Sequence, residues 1–178
     1  MDKLFVRDKI VKSISIEPKF LTNKLDSYIL NKIKTKIEGT CIKNGYIKPD
    51  SLKIIKRSIG KINCSHFNGN ILYHLELSVD LCNPLINTII DVQVLNNNKM
   101  GILAGVPYQE NSALNILLPR QYHIDNDEFT SLDIGDIISI KIIGKRFEFG
   151  DSQISIIGIL NDKDTDKVPE KNKESNNE

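Results

Sequence analysis

The chain has 178 residues, 40% hydrophobic and 26% charged, with a net charge of +1. That leaves room for one moderate domain or two small ones of ordinary globular composition, and it excludes a strongly basic nucleic-acid binder. No apolar run approaches the roughly 18 residues of a membrane span, and MDKLFVRDKI lacks the long apolar core of a signal peptide.

The charge is uneven. After Leu160 the tail holds four Lys against six carboxylates, which leaves the body net positive and open to weak attraction by a polyanion. Cys41, Cys64 and Cys82 are odd in number and far apart, which points to a reducing, intracellular compartment. Lys outnumbers Arg 20 to 4, and Ile and Asn are abundant. We read this as the coding bias of an AT-rich genome.

Residues 4–16 carry spaced apolar positions, Phe5, Ile10, Ile14 and Ile16, and read as extended chain. After Pro18 a helix fits residues 22–36. Leu21, Leu25, Ile29, Ile33 and Ile37 recur every four residues and make one apolar stripe, and Gly39 is a plausible stop. Residues 41–47 read as a strand broken by the Asn44-Gly45 turn, and residues 51–62 as another. KINCSHFNGN is a polar, turn-rich loop. Then Tyr73, Leu75, Leu77, Val79 and Leu81 alternate strictly with His74, Glu76, Ser78 and Asp80, the mark of a half-buried strand. Its apolar face reads as core between two domains.

Pro84 marks the seam. Residues 86–95 are a near-continuous β-branched run, 96–99 a turn, 100–106 a second strand and 114–118 a third. Residues 121–132 form a polar link with a helical turn. A long fourth strand follows Gly135-Asp136 as IISIKIIGKRFEF, and 154–160 is the fifth. Five short strands with one longer link between the third and fourth match a five-stranded OB-type barrel. The expected class is α+β: a helix-plus-sheet domain over 1–82, a barrel over 83–162, and a disordered acidic tail over 163–178, too poor in apolar residues to fold.

Four stretches in this order resemble the stalk subunit of DNA-directed RNA polymerases, the seventh subunit of the eukaryotic enzymes and its archaeal counterpart. They are KIEGTC, ILYHLELSVDLCNPL, IIDVQVLNNNKMGILAGVP and GDIISIKIIGKRFEFGDSQISIIGILND. The resemblance spans residues 3–162. It implies an N-terminal tip domain that docks on the core polymerase at the base of the clamp, and an S1-like barrel near exiting RNA. It also implies a second stalk subunit as partner, nascent RNA as a weak, non-specific ligand, and no catalytic residues. The family's tip loop is glycine-rich; here SIGKINCSHFNGN keeps only Gly60 and Gly69. S1 barrels that grip RNA place aromatics on strands two and three, which read MGILAGV and LNILL here. A diverged subunit with this composition suits a large DNA virus encoding its own polymerase. The place of action is then the host cytoplasm and virion, and the nucleus if the chain is cellular.

Candidate RNA contacts are Lys99, Arg120, Lys141, Lys145 and Arg146, since phosphate contact by cations gives affinity without sequence choice. On a regular strand Lys141 and Lys145 share a face. The bland alternative is a solvated barrel wall. Candidate polymerase-core contacts are Ile59, Gly60, Lys61 and Ile62, with the loop to Asn70; an exposed apolar pair there serves a partner or local packing. Cys64, His66, His74 and Cys82 lack the spacing of a structural zinc site, so no metal is expected. Asp125, Asp127 and Glu128 read as a solvated acidic loop, not a nuclease centre. No GxxxxGK[ST], HExxH or GxSxG occurs, so no enzyme and no cofactor is expected. The alternative function is a free-standing S1-type RNA-binding module in translation or RNA decay.

Overall fold

The computed structural model describes residues 4–63, 69–106, 112–124 and 127–161. Among the described residues the fold is mostly β, with one helix of more than four residues, so the helical share there is smaller than the α+β expectation. No helix among the described residues is long and apolar enough to cross a membrane. The expected tail, 163–178, lies outside the described residues.

The N-terminal half is organised by two long strands. β1 (Phe5–Ile16) and β6 (Ile71–Cys82) pair antiparallel over their full length, from Phe5 opposite Cys82 to Ile16 opposite Ile71. The alternation read in β6 holds: Tyr73, Leu75, Leu77, Val79 and Leu81 are buried on one face. The helix α1 (Leu25–Ile37) lays Ile29, Ile33 and Ile37 on that face. Each such fully buried side chain contributes about 1.5–3 kcal/mol. Gly39, at φ +70, ends the helix as expected, and its N–H donates to the Ile47 carbonyl at 3.0 Å.

The Tyr73–Leu81 face is therefore the core beneath α1, not packing between two domains. The barrel meets the other face of the sheet at one end, where Phe5 and Cys82 join its apolar cluster.

β2 (Cys41–Ile42) and β3 (Gly45–Ile47) form the expected hairpin, and β3 pairs with β6 on the side away from β1. The strand expected over 51–62 is two strands, β4 (Lys53–Arg57) and β5 (Lys61–Ile62), both paired with β6. The interruption has a cause. Ser58 exchanges two 2.9 Å bonds with the His74 backbone, and the chain then arches over the Tyr73 ring at Gly60.

The C-terminal half is a closed barrel of β7 (Ile89–Asn98), β8 (Gly101–Gly105), β9 (Leu114–Pro119), β10 (Ile137–Arg146) and β11 (Ile154–Leu160). The strands run round in the order β7-β8-β9-β11-β10 and back to β7, with β9 and β11 parallel and all other pairs antiparallel. That order is consistent with an OB-like barrel. Val92, Ile102, Ile116, Ile140, Ile142 and Ile156 fill its interior. β7 runs to Asn98, past the expected turn at 96–99. Asn97 donates its amide to the Leu132 carbonyl at 3.1 Å, and Asn98 Oδ1 accepts the Met100 N–H at 2.9 Å, so Lys99-Met100 alone make the turn. β10 stops at Arg146, short of the expected Phe149.

Cys41, Tyr46 and Cys82 sit side by side across β2, β3 and β6 and are buried in the barrel's own apolar cluster. The Gly150 N–H donates to the Cys41 carbonyl at 2.9 Å, and the Cys41 N–H to the Asp151 carbonyl at 2.7 Å. The turn after β10 thus binds β2 as a neighbouring strand would. Burial pushes the Cys41 thiol up to about 11, with Asp151 adding to it. Burial, and then Cys41, push the Cys82 thiol up to about 12.

Because both folded values exceed the ordinary 9.0, the contribution of these thiols to stability is full below pH 9 and is lost as pH rises through 11–12. The native chain is expected to lose stability in that alkaline window. In a Cys64→Ser background, a maleimide at pH 8 is expected to leave Cys41 and Cys82 unlabelled until urea is added. Rapid labelling of both in the native chain would show that the seam is open.

Candidate nucleic-acid interface

OB-type barrels take oligonucleotides on the outer face of their second and third strands. Here that face, with the adjoining end of β7, forms a groove of about 660 Å³. Leu95, Leu103 and Val106 supply its apolar lining, and Gln93, Asn115 and Gln153 its polar groups. The Gln93 amide donates to the Gly135 carbonyl at 3.2 Å and the Gln153 amide to the Ser112 carbonyl at 2.8 Å. Such amides both donate and accept, as base edges do. Among the described residues that line it there is no aromatic ring, so these residues do not supply the stacking term of about 1–3 kcal/mol per base.

The chain matches no family model, and no curated protein matches it.

The five candidate cations do not form one patch. Lys99, in the β7–β8 turn, and Arg120, just past β9, are exposed neighbours, with the Arg120 N–H donating to the Met100 carbonyl at 3.1 Å. Lys141 stands half-buried on the outer wall opposite Ile159 and Ile89. Lys145 does not share its face. A β-bulge at Ile143 inserts one residue, so that Lys145 pairs with buried Ile156 and has the inward direction of Ile142. Its ammonium donates to Asn83 Oδ1 at 2.6 Å and to the Pro84 carbonyl at 2.9 Å. It therefore ties the inter-domain link to the barrel, and phosphate would have to displace both bonds. Arg146 is exposed but paired with Glu148 at 2.8 Å, which raises its pKa.

The candidate docking residues lie at the opposite end of β6 from the barrel. Ile62 faces Ile71 at the first rung of the β5–β6 pairing, about 35–40 Å along the strand from Cys82. Ile59 is 89% exposed and Ile62 71% exposed, although Ile62 is itself paired with β6 and Ile59 lies between two paired strands. Lys61 is exposed beside them. Gly60 plays a different part. A Cβ there would lie 2.5 Å from Ile71 Cγ2 and 2.8 Å from the Tyr73 ring. Tyr73 is buried, with the Arg57 guanidinium 5.2 Å from its centroid, and Arg57 is fixed to Asp26 at 2.6 Å. The ring cannot retreat. Gly60→Ala is therefore expected to cost about 1–3 kcal/mol through overpacking, read as a lower urea midpoint. A neutral result would show that the arch has room.

Cys64, His66 and Asp125 lie outside the described residues. His74 bonds Ser13 Oγ at 2.8 Å, and Cys82 is buried in the barrel's cluster, so these two have different surroundings. Glu128 is exposed on the short helix α2 (Asp127–Thr130).

Sequence reasoning missed the groove amides. Their signal is present in the sequence: Gln93 and Asn115 occupy outward positions that alternate with buried Val92, Val94, Leu114 and Ile116.

Proposed function

We propose that the chain is a non-catalytic stalk subunit of a multisubunit DNA-directed RNA polymerase. In this reading the N-terminal half is the tip domain that docks on core subunits, and the S1-like barrel stands beside exiting RNA. One observation carries the reading: a helix-backed sheet and a closed five-stranded barrel follow in that order, meeting at the Cys82 end of β6, and an exposed isoleucine pair lies beside the far end of that strand. A monomer gains nothing by leaving Ile59 and Ile62 in water, whereas a docking edge needs such anchors. The barrel's groove, with amides and few charges, suits loose contact with a passing strand rather than tight sequence readout.

The test is affinity purification of the tagged protein from its native cells at moderate salt, with mass spectrometry of what accompanies it. Near-equal recovery of the two largest polymerase subunits is expected. Recovery of RNA and ribosomal proteins without them would overturn the reading in favour of a free-standing RNA-binding module.

A further inference from the structure

The face of the N-terminal sheet turned away from α1 carries a ladder of cations. Residues opposite one another in antiparallel strands share a face. On this face Arg7 pairs with Asp80, Lys9 and Lys53 flank Ser78, Val11 and Lys56 flank Glu76, and Ser15 and Lys61 flank Leu72. All five cations are exposed. So are His74 and Glu76 between them, so no described element covers this stretch of the face, and the barrel touches it at the Cys82 end.

Two carboxylates oppose five cations among the described residues, in a chain whose net charge is only +1. One of them is already engaged: Arg7 Nε reaches Asp80 Oδ1 at 2.9 Å, and this bond draws the carboxyl below its ordinary pKa. That leaves Glu76 among Lys9, Lys53, Lys56 and Lys61.

We propose that this face binds the phosphate backbone of single-stranded nucleic acid, independent of sequence. Same-face residues on a strand repeat at about 6.8 Å. That is close to the pitch of successive phosphates along an extended single strand. Lysines line both sides of β6, and the floor between them is Ser78 and His74, small or polar groups that donate hydrogen bonds. An acidic protein partner would need an apolar anchor at the centre. Among the paired residues of this face, the exposed apolar side chain is Val11 alone. As the transcript contact of a stalk subunit, the inference rests on the reading above and moves the main RNA contact from the barrel wall to the sheet.

The experiment is fluorescence anisotropy of a labelled mixed-sequence 20-nucleotide RNA with the full chain, over a salt series from 50 to 300 mM. Four unpaired lysines predict a log–log salt slope of about −3. K9Q/K53Q/K56Q is expected to weaken binding at least tenfold at low salt and to flatten the slope to about −1. K24Q/K36Q/K43Q, three exposed lysines elsewhere, is expected to stay within twofold. Circular dichroism and melting check that both variants fold.

Unchanged affinity and slope in the first variant, or equal loss in both, would overturn the proposal. So would absence of binding by the natural chain at 50 mM salt. Displacement of the RNA by polyglutamate of equal charge as readily as by unlabelled RNA would assign the face to acidic protein instead. Polymerase recovery is scored separately. Its failure with RNA binding intact sinks the stalk reading alone, and its success with RNA binding lost from neither triple variant sinks this one alone.

Discussion

A His123→Ala chain is expected to lose about 2–4 kcal/mol of stability, seen as an earlier urea midpoint with an unchanged slope. His123 is buried in the link between β9 and β10. Its Nε2 faces the backbone N–H of Leu160 at 2.9 Å, and that group can only donate. Nε2 must therefore accept, which places the proton on Nδ1, where it donates to the Pro119 carbonyl at 3.0 Å. The ring also stacks on Phe129 at 4.2 Å and 7°. One side chain thus joins the end of β9, the last residue of β11 and the short helix α2, whose Phe129 is buried in the barrel's apolar cluster. His123→Phe keeps a ring against Phe129 but leaves the Leu160 N–H without its acceptor, and is expected to cost about 1–3 kcal/mol. If the alanine variant unfolds at the natural midpoint, His123 does not pin the barrel.

Ile59→Asp combined with Ile62→Asp is expected to abolish recovery of the large polymerase subunits while leaving the fold intact. Both side chains are largely in water in the free chain, so the carboxylates cost it little, within about 0.5 kcal/mol. In a docked edge they replace apolar anchors of about 2 kcal/mol or more each with buried charge. The readouts are the melting temperature and the yield of polymerase on affinity purification. Full recovery by the double variant would remove these residues from the docking edge. A lost fold would be visible as a lowered melting temperature before any binding is scored.

The parts legible in the sequence are those where periodicity meets a single buried face. β6 alternates because one side lies under α1, and α1 repeats every four residues for the same reason. β11 is bounded by turn residues, and its limits in the structure are those the sequence predicts. What is not legible depends on contacts made elsewhere in the chain. Asn96–Asn98 reads as a turn by composition, yet Asn97 is held in strand by a carbonyl 35 positions away. The bulge at Ile143 is invisible in IIGKR, and it alone decides that Lys145 turns inward while Lys141 stays on the wall. Gly60 reads as a docking residue in the sequence, and its need is the ring beneath it. The lysines of β1 and β4 are ordinary solvent-facing residues when each strand is read alone. They become a surface only when β6 brings the two strands together.

The pairing of β1 with β6 also sets a waiting time during synthesis. β1 leaves the ribosome first, but its partner follows residues 17–70. At about 5–20 residues per second, the first strand spends several seconds as an unpaired, isoleucine-bearing segment. Such a segment is open to pairing with other nascent chains. Arg7, Lys9 and Lys12 punctuate it at short intervals and act as gatekeepers against that fate. Refolding from urea meets the same obstacle in another form: the loop between Ile16 and Ile71 must close before the N-terminal half has its sheet, whereas the barrel strands do not wait for it, so the N-terminal half is the slow step and the barrel the fast one.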